Sequence, residues 1–341
     1  MTGGLVNTGN TCYINTIIQC LGHCPILLRY ILESCSNVED NTFATNFYEV
    51  LKELWINQNS IIPRKFLRFL KANIRSIDIY EQNDIHEFCT IFIDKLNQSV
   101  CKSITVTKTD LIKKYNYSNS DMDIQRFKMD VSWYEKTGKE YSPLVPMFYG
   151  QTISQIICGH CDKIFHNYEI YSNFLLPITE TTNNLYDCFD EYFQEEWINT
   201  EDPIWTCDEC KHKDKSCKTS KVWRFPHILM ISLKRFTFDL QKNNKPIKIP
   251  ELLNLSKYKL DLTEAALHGS QSSAQSSAQS SNSSSTYQLQ AVAHHHGSSD
   301  SGHYNAICKK ENKWYYCDDI TIKEIENPIH EYGYVYFYTL I

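Results

Sequence analysis

The chain holds 341 residues, 42% of them hydrophobic and 13% aromatic, with a formal net charge of −6. That is apolar material for one large domain or two ordinary ones, and the acidic balance supplies no general attraction for nucleic acid or anionic membranes. No apolar run is long enough to span a bilayer and no basic stretch leads into an apolar one, so neither a membrane span nor a secretory signal is expected.

The 14 cysteines do not read as a disulfide framework, because the chain is long and two pairs have metal-ligand spacing. A reducing compartment, cytosol or nucleus, is the expectation.

Taken in order, residues 3–21 run through small and polar side chains (Asn7, Thr8, Gly9, Asn10, Thr11) to Cys12. Beyond it Ile14, Ile17, Ile18 and Leu21 recur at helical spacing. Asn10 or Thr11 suits an N-cap, which places Cys12 in the first turn of a helix. There the helix dipole and free N–H groups favour a thiolate and lower the thiol pKa, so Cys12 is a candidate nucleophile. The plain alternative is a small buried hydrophobe.

Residues 46–56 and 63–73 read as amphipathic helices, with Pro63 at a first helical position. A third helix is expected over 81–96, with Ile85, Phe88, Cys89, Phe92, Ile93 and Leu96 on one face. Asp84, His86 and Glu87 lie in its first turn. Residues 97–141 are polar with few signals and read as a variable excursion. From Pro143 onward β-like runs dominate, over 147–157, 163–178 and 221–240, clearest at 223–239. A helix over 185–197 lies among them. Residues 269–286 are Ser- and Gln-rich without a bulky apolar side chain and read as a disordered spacer. Strand-like flanks at 258–262 and 287–293 make this spacer an insertion inside one domain.

Cys158 and Cys161, then Cys207 and Cys210, are two C-x2-C pairs that can offer four thiolates to one tetrahedral zinc. Four protein ligands close the site, so the ion is structural. His160, His212 and Cys217 are spare donors. A nucleic-acid-binding zinc module is the rival for this segment, supported by Lys211, His212, Lys213, Lys215 and Lys218 and opposed by the acidic chain.

Near the end, His303 opens a strand-like run over 304–308, and Asp318 and Asp319 follow another over 314–317. A polar turn between them sets the head of one strand beside the end of the other, bringing a histidine and a carboxylate together. A thiol nucleophile needs a base and the base an orienting partner, and Cys12, His303 and Asp318 supply these types. His294, His295 and His296 read as a polar or metal-coloured loop at the cleft mouth.

These residues carry a resemblance. GLVNTGNTCYINTIIQC resembles the cysteine box of the ubiquitin-specific protease family of deubiquitinases, and EQNDIHEF resembles its second box. SPLVPMFYGQ, the two cysteine pairs, FLLPI, FPHILMISLKRF, AVAHHHG…GHY, W-x-x-x-DD and YGYVYFY follow in the family's order. The resemblance implies one α+β, papain-like catalytic domain with thumb (about 1–143), zinc-bearing fingers (about 144–221) and palm (about 222–341). It implies Cys12 as nucleophile, His303 as general base, Asp318 as its orienting residue and Asn7 as oxyanion donor, with Asp319 second choice to Asp318. Asp84, Phe236 and Tyr304 match positions that contact the C-terminal tail of ubiquitin. The implied cofactor is one structural Zn2+ on Cys158, Cys161, Cys207 and Cys210, with no catalytic cofactor. The implied partners are ubiquitin and ubiquitinated proteins, met by a monomer without nucleic acid or membrane.

Asn83 departs from the second box, and the Ser-rich insert is placed to alter access or chain preference. The cysteine box begins at residue 3, so no N-terminal regulatory domain is expected. An inactive ubiquitin-binding scaffold, an enzyme for a ubiquitin-like modifier and an ordinary papain-type peptidase are the competing readings.

Overall fold

Helix α1 (Cys12–Gly22) is buried along its whole length, polar residues included. A helix buried all round must satisfy its polar side chains internally. Asn15 accordingly donates to the Leu5 carbonyl (3.3 Å) and Gln19 to the Gly3 carbonyl (3.0 Å). The computed structural model describes residues 2–35, 41–115, 121–199, 204–236, 241–261, 285–298 and 301–341.

Around α1 stand α2 (Pro25–Ser34), α3 (Phe43–Leu51), α4 (Arg64–Asn73) and α5 (Ile85–Val100). A Thr42–Thr45 capping box starts α3, which runs into a π-helical turn over Lys52–Ile56. Pro63 is the N-cap of α4, not its first helical residue, with ψ at 52°. Phe43, Phe47, Phe66, Phe88 and Phe92 tie α3, α4 and α5 together, mostly by edge-to-face contacts.

Residues 97–141, read as a variable excursion with few signals, carry α6 (Lys108–Tyr115) and α7 (Asp121–Thr137) over much of their length. The apolar stripe of α7 is sparse, with Met129 and Trp133 buried four positions apart amid polar neighbours, which hides its periodicity. Arg224 covers the Trp133 ring at 4.6 Å and pairs with Asp130 at 2.8 Å. A short α8 (Leu144–Phe148) precedes the sheets.

The smaller sheet has the order β2-β1-β5-β4, from β1 (Gly150–Ile157), β2 (Ile164–Tyr171), β4 (Glu196–Ile198) and β5 (Ser216–Arg224). Its pairs are antiparallel. The larger sheet runs β11-β10-β9-β8-β12-β6-β3, and β7 pairs with β8. Its strands are β3 (Asn173–Leu176), β6 (Ile228–Leu233), β7 (Leu252–Asn254), β8 (Thr286–Gly297), β9 (Gly302–Lys310), β10 (Lys313–Asp318), β11 (Thr321–Ile325) and β12 (Gly333–Leu340). β3 pairs in parallel with β6, so one strand from within 144–221 belongs to the larger sheet. Side chains alternate across that sheet. Tyr304, Ala306 and Cys308 of β9 join the core around α1, and Ile307 joins the core on the opposite face under α9 (Leu185–Tyr192).

Some boundaries differ from expectation. The run over 223–239 breaks at Phe225–Pro226 into the end of β5 and the whole of β6, because proline cannot continue a central ladder. Residues 237–240 lie outside the described residues. The helix expected over 185–197 stops at Tyr192, and Trp197 pairs with Cys217 in the smaller sheet. Tyr258 sits in a 3-10 turn and not in a strand. Of the Ser-rich insert, residues 269–284 lie outside the described residues. Among the described residues no helix is long and apolar enough to cross a membrane.

Candidate active site

The segment before α1 is threaded between two backbones. A Cβ on Gly4 would lie 2.3 Å from the Ile320 carbonyl oxygen, so only glycine permits this approach. The closeness lets the Leu5 N–H bond the Asp319 carbonyl (2.9 Å) and the Val6 N–H bond the Ile61 carbonyl (2.9 Å). Next, Asn7 Oδ1 gathers the N–H groups of Gly9 (3.1 Å) and Thr11 (3.2 Å) and the Thr11 hydroxyl (3.1 Å). Thr11 is the N-cap of α1 but makes no side-chain cap bond, and the N–H groups of Cys12 and Tyr13 turn to the Cys12 sulfur.

Asp319, in the left-handed region with φ at 49°, clamps this segment from the far end of the chain. Its Oδ2 accepts from Asn7 Nδ2 (3.0 Å) and its Oδ1 from Asn15 Nδ2 (2.8 Å). Asp319, the second choice to Asp318, gives its carboxylate to the two asparagines, and an oxygen of it lies within 4.8 Å of a His303 ring nitrogen and an Asp318 oxygen.

β9 and β10 form a hairpin whose register sets Cys317 opposite Ala306. His303 at the head of β9 therefore reaches Asp318 at the end of β10, with Nε2 to Oδ1 at 2.6 Å. The second carboxylate oxygen accepts from the Tyr316 hydroxyl at 3.2 Å, and that hydroxyl meets the Asn305 side chain. Side-chain exposures of 40% for His303 and 33% for Asp318 leave the pair open to a substrate. With Nε2 committed to the carboxylate, Nδ1 is the nitrogen left for a thiol proton.

The backbone N–H of Tyr304, the residue after His303, bonds the Cys12 sulfur. Cys12 is 2% exposed. Burial raises its pKa, the Tyr304 N–H acts against that, and the nearby Asp319 carboxylate adds to it. The net direction is upward, opposite to the lowering expected from the helix N-terminus alone. Burial outweighs the N–H groups of Tyr304, Tyr13 and Cys12 that favour the thiolate.

A little further along the same face, Asp84 caps α5 by accepting from the N–H groups of His86 (2.7 Å) and Glu87 (3.1 Å). Its other oxygen accepts from the Tyr334 hydroxyl at 2.5 Å. Phe236 meets His295 and Tyr334 edge-on, and Tyr304 lies against the His295 ring at 4.7 Å. Asp84, Phe236 and Tyr304 are thus brought together around His295 and Tyr334. The three adjacent histidines are not a loop. They extend β8, with His296 paired to His303 and His295 to Tyr304. His294 and His295 are buried, and burial lowers their pKa values to about 3 and about 4.

The family model described as "Ubiquitin carboxyl-terminal hydrolase" matches residues 3–338. This chain belongs to that family. Among curated members of the ubiquitin carboxyl-terminal hydrolases, hydrolase 4 of Vanderwaltozyma polyspora is 28% identical over 361 residues, covering 99% of this chain and 41% of its own length. Usp2 of Drosophila melanogaster is 27% identical over 348 residues, covering 98% and 34%. Human hydrolase 21 is 26% identical over 373 residues, covering 99% and 61%. The chain therefore spans less than two thirds of the length of these relatives. Among solved structures, the SAGA Ubp8/Sgf11/Sus1/Sgf73 DUB module bound to ubiquitin aldehyde matches with a TM-score of 0.71 at 21% identity, covering 99% of this chain and 69% of that one. That likeness shows the α+β, papain-like fold of the family.

The four cysteines beside the chain's smaller sheet also converge. Cys158 and Cys161 flank the β1–β2 turn, and Cys207 and Cys210 sit on the turn ahead of β5. Sγ of Cys158 lies 3.8 Å from that of Cys210, and Sγ of Cys161 lies 3.7 Å from that of Cys207. Sulfurs at tetrahedral corners ~2.3 Å from zinc are roughly 3.8 Å apart, so this donor set fits the ion. Of the basic residues nearby, Lys218 pairs with Glu196 at 2.9 Å and Lys215 covers the Trp197 ring at 4.4 Å.

Sequence reasoning missed Tyr316 and Tyr334, and placed His295 in a loop at the cleft mouth where the structure has a strand. Tyr334 sits in the quoted YGYVYFY run, and nothing in that run marks which hydroxyl faces a carboxylate.

Proposed function

We propose that this chain is a thiol deubiquitinase that cleaves peptide and isopeptide bonds at the C-terminal glycine of ubiquitin through a thioester. The observation that carries the reading is the 2.6 Å His303–Asp318 contact one residue from the Tyr304 N–H that meets the Cys12 sulfur. It supports a base, its orienting carboxylate and a nucleophile meeting at one cleft.

In this mechanism Cys12 gives its proton to His303 Nδ1 as the sulfur attacks the glycine carbonyl carbon. The oxyanion takes hydrogen bonds from the Cys12 backbone N–H and from the Asn7 amide N–H that Asp319 leaves unused. Collapse breaks the C–N bond, and the His303 proton leaves with the amine. Water, deprotonated by His303, then attacks the thioester and returns Cys12 as the thiol. Asp318 keeps the ring in the orientation that presents Nδ1.

Asp84, Phe236 and Tyr304 line the approach of the ubiquitin tail, where the Asp84 carboxylate favours a basic segment. The thumb is the helical part to about residue 143, the fingers the cysteine-bearing segment to about 221, and the palm the remaining sheet. The four-cysteine zinc is structural: it holds two turns together and takes no part in a chemical step. The unit acts as a monomer on ubiquitin and ubiquitinated proteins in the cytoplasm or nucleus.

Intact-mass analysis after incubation with a ubiquitin C-terminal electrophile tests this. Wild type gains one ubiquitin and Cys12→Ala gains none. An absent adduct on folded, zinc-loaded wild type refutes the reading, and an adduct with a ubiquitin-like probe alone reassigns the substrate.

A further inference from the structure

Beside the four cysteines, and separate from them, His160, His212 and Asp214 form a second donor set. The two imidazole rings stack with centroids 3.7 Å apart and planes within 10°. His160 Nδ1 lies 2.9 Å from Asp214 Oδ2. One ring nitrogen from each histidine and a carboxylate oxygen all lie within 4.8 Å of one another, and all three residues are exposed.

The side chains stand on a stiff base. His160 lies inside the Cys158–Cys161 turn, closed by the Cys158 N–H to the Lys163 carbonyl (3.0 Å) and the Asp162 N–H to the Cys158 carbonyl (3.0 Å). His212 follows Cys210 on a turn closed by the Cys207 N–H to the His212 carbonyl (3.0 Å) and the Lys211 N–H to the Cys207 carbonyl (2.9 Å). The turns abut: a Cβ on Gly159 would lie 1.9 Å from the Lys215 carbonyl oxygen. The backbone thus holds the two side chains next to each other before any ion arrives.

A hydrogen bond to Asp214 engages the His160 ring, while the stacked His212 ring has no hydrogen bond to its nitrogens among the described residues. A metal would engage both rings. Ligands roughly 2.0–2.2 Å from one tetrahedral ion lie about 3.3–3.6 Å from each other, so the 2.9 Å hydrogen-bonded pair opens by a few tenths of an ångström and the exposed rings turn out of their stack until an in-plane lone pair of each meets the ion. Two imidazoles and one carboxylate suit zinc, copper or nickel and not calcium or magnesium.

We propose that His160, His212 and Asp214 hold a second divalent ion, zinc in the first instance, on the outer surface of the turns that carry the four-cysteine site. Binding exchanges the hydrogen-bonded proton between His160 and Asp214, and waters of the ion, for three metal–ligand bonds. Water completes the coordination, so this ion exchanges readily. The dependence runs one way: the cysteine site positions the second site, and loss of the second leaves the first intact.

The full chain is saturated with Zn2+, desalted, and its metal counted by plasma mass spectrometry before and after a chromophoric chelator competes. Wild type holds two zinc ions per chain, one surrendered readily and one retained. His212→Gln, His160→Gln and Asp214→Asn each hold one, and that one resists the chelator. A single zinc on saturated wild type overturns the proposal without recourse to any variant. So does a readily surrendered zinc that persists in all three variants.

Discussion

Replacing Asp319 with asparagine keeps the size and the tolerance for a left-handed backbone but removes one acceptor and the charge. Asp319 now takes an N–H from Asn7 at 3.0 Å and one from Asn15 at 2.8 Å, and Asn15 is almost wholly buried. The variant amide can accept from one of them while its own N–H groups confront the other. A hydrogen bond to a charged acceptor contributes roughly 1.5–3 kcal/mol, and the partial exposure of Asp319 argues for the low end, about 1.5–2 kcal/mol of stability. Where the lost partner is Asn7, its amide no longer points at the oxyanion, and the loss of one such donor lowers kcat by ~10²-fold. The same change removes the carboxylate that pushes the Cys12 thiol upward, so the Cys12 titration moves to lower pH. Asp319→Asn therefore makes a slower enzyme with a more acidic thiol. Single-turnover cleavage of a ubiquitin C-terminal fluorogenic amide measures the first effect. The pH midpoint of Cys12 alkylation, followed by mass, measures the second. Turnover within about threefold of wild type, or an unmoved midpoint, refutes the argument.

Tyr316→Phe removes the 3.2 Å hydrogen bond to Asp318 Oδ2. Because that carboxylate is partly exposed, ~1 kcal/mol is at stake, and kcat falls about fivefold with KM unchanged. An unchanged kcat contradicts a positioning role. Acid stability is set in part by His23 and His294, whose burial lowers their pKa values to about 4 and about 3. Both lie below the unfolded value near 6.5, so the unfolded chain binds more protons as pH falls from there toward 4, and stability drops by up to ~1.4 kcal/mol per pH unit for each group. Urea midpoints measured from pH 7 to 4.5 show the decline, and His23→Gln flattens it; an equal slope in that variant refutes the assignment to His23. Stripping the four-cysteine zinc with a strong chelator lowers the melting temperature while leaving Cys12 alkylation in the folded protein unchanged. A change in alkylation without loss of stability assigns the ion a role outside structure.

The Cys12 helix was legible because Asn10, Thr11 and the Ile14, Ile17, Ile18 spacing are local signals, and local signals govern where a helix starts. The pairing of His303 with Asp318 was equally legible, since two apolar runs around a polar turn admit one antiparallel geometry. What escaped was set by tertiary contact. The direction of the Cys12 pKa depends on how fully the folded chain buries the thiol, and no local feature at residue 12 reports it. Three consecutive histidines show no alternation, yet β8 is covered on both faces around His294 and accepts them as strand. Asp84 finds Tyr334 across nearly the whole sequence, and Asp319 finds Asn7 across still more.

One consequence of the topology concerns how the chain is made. β12 lies in the interior of the larger sheet, joining β8 on one side to β6 on the other, although β6 ends about 100 residues before β12 begins. At translation speeds of ~5–20 residues per second, β6 waits roughly 5–20 s for the strand that closes its edge. By the end of that interval the nascent sheet is two separate pieces, each with an open edge of unpaired amides and apolar side chains. The half carrying β8, β9 and β10 cannot join the half carrying β3 and β6 until residues 333–340 have left the ribosome. Chaperone demand during synthesis, rather than stability once folded, is where such a topology leaves the protein most exposed.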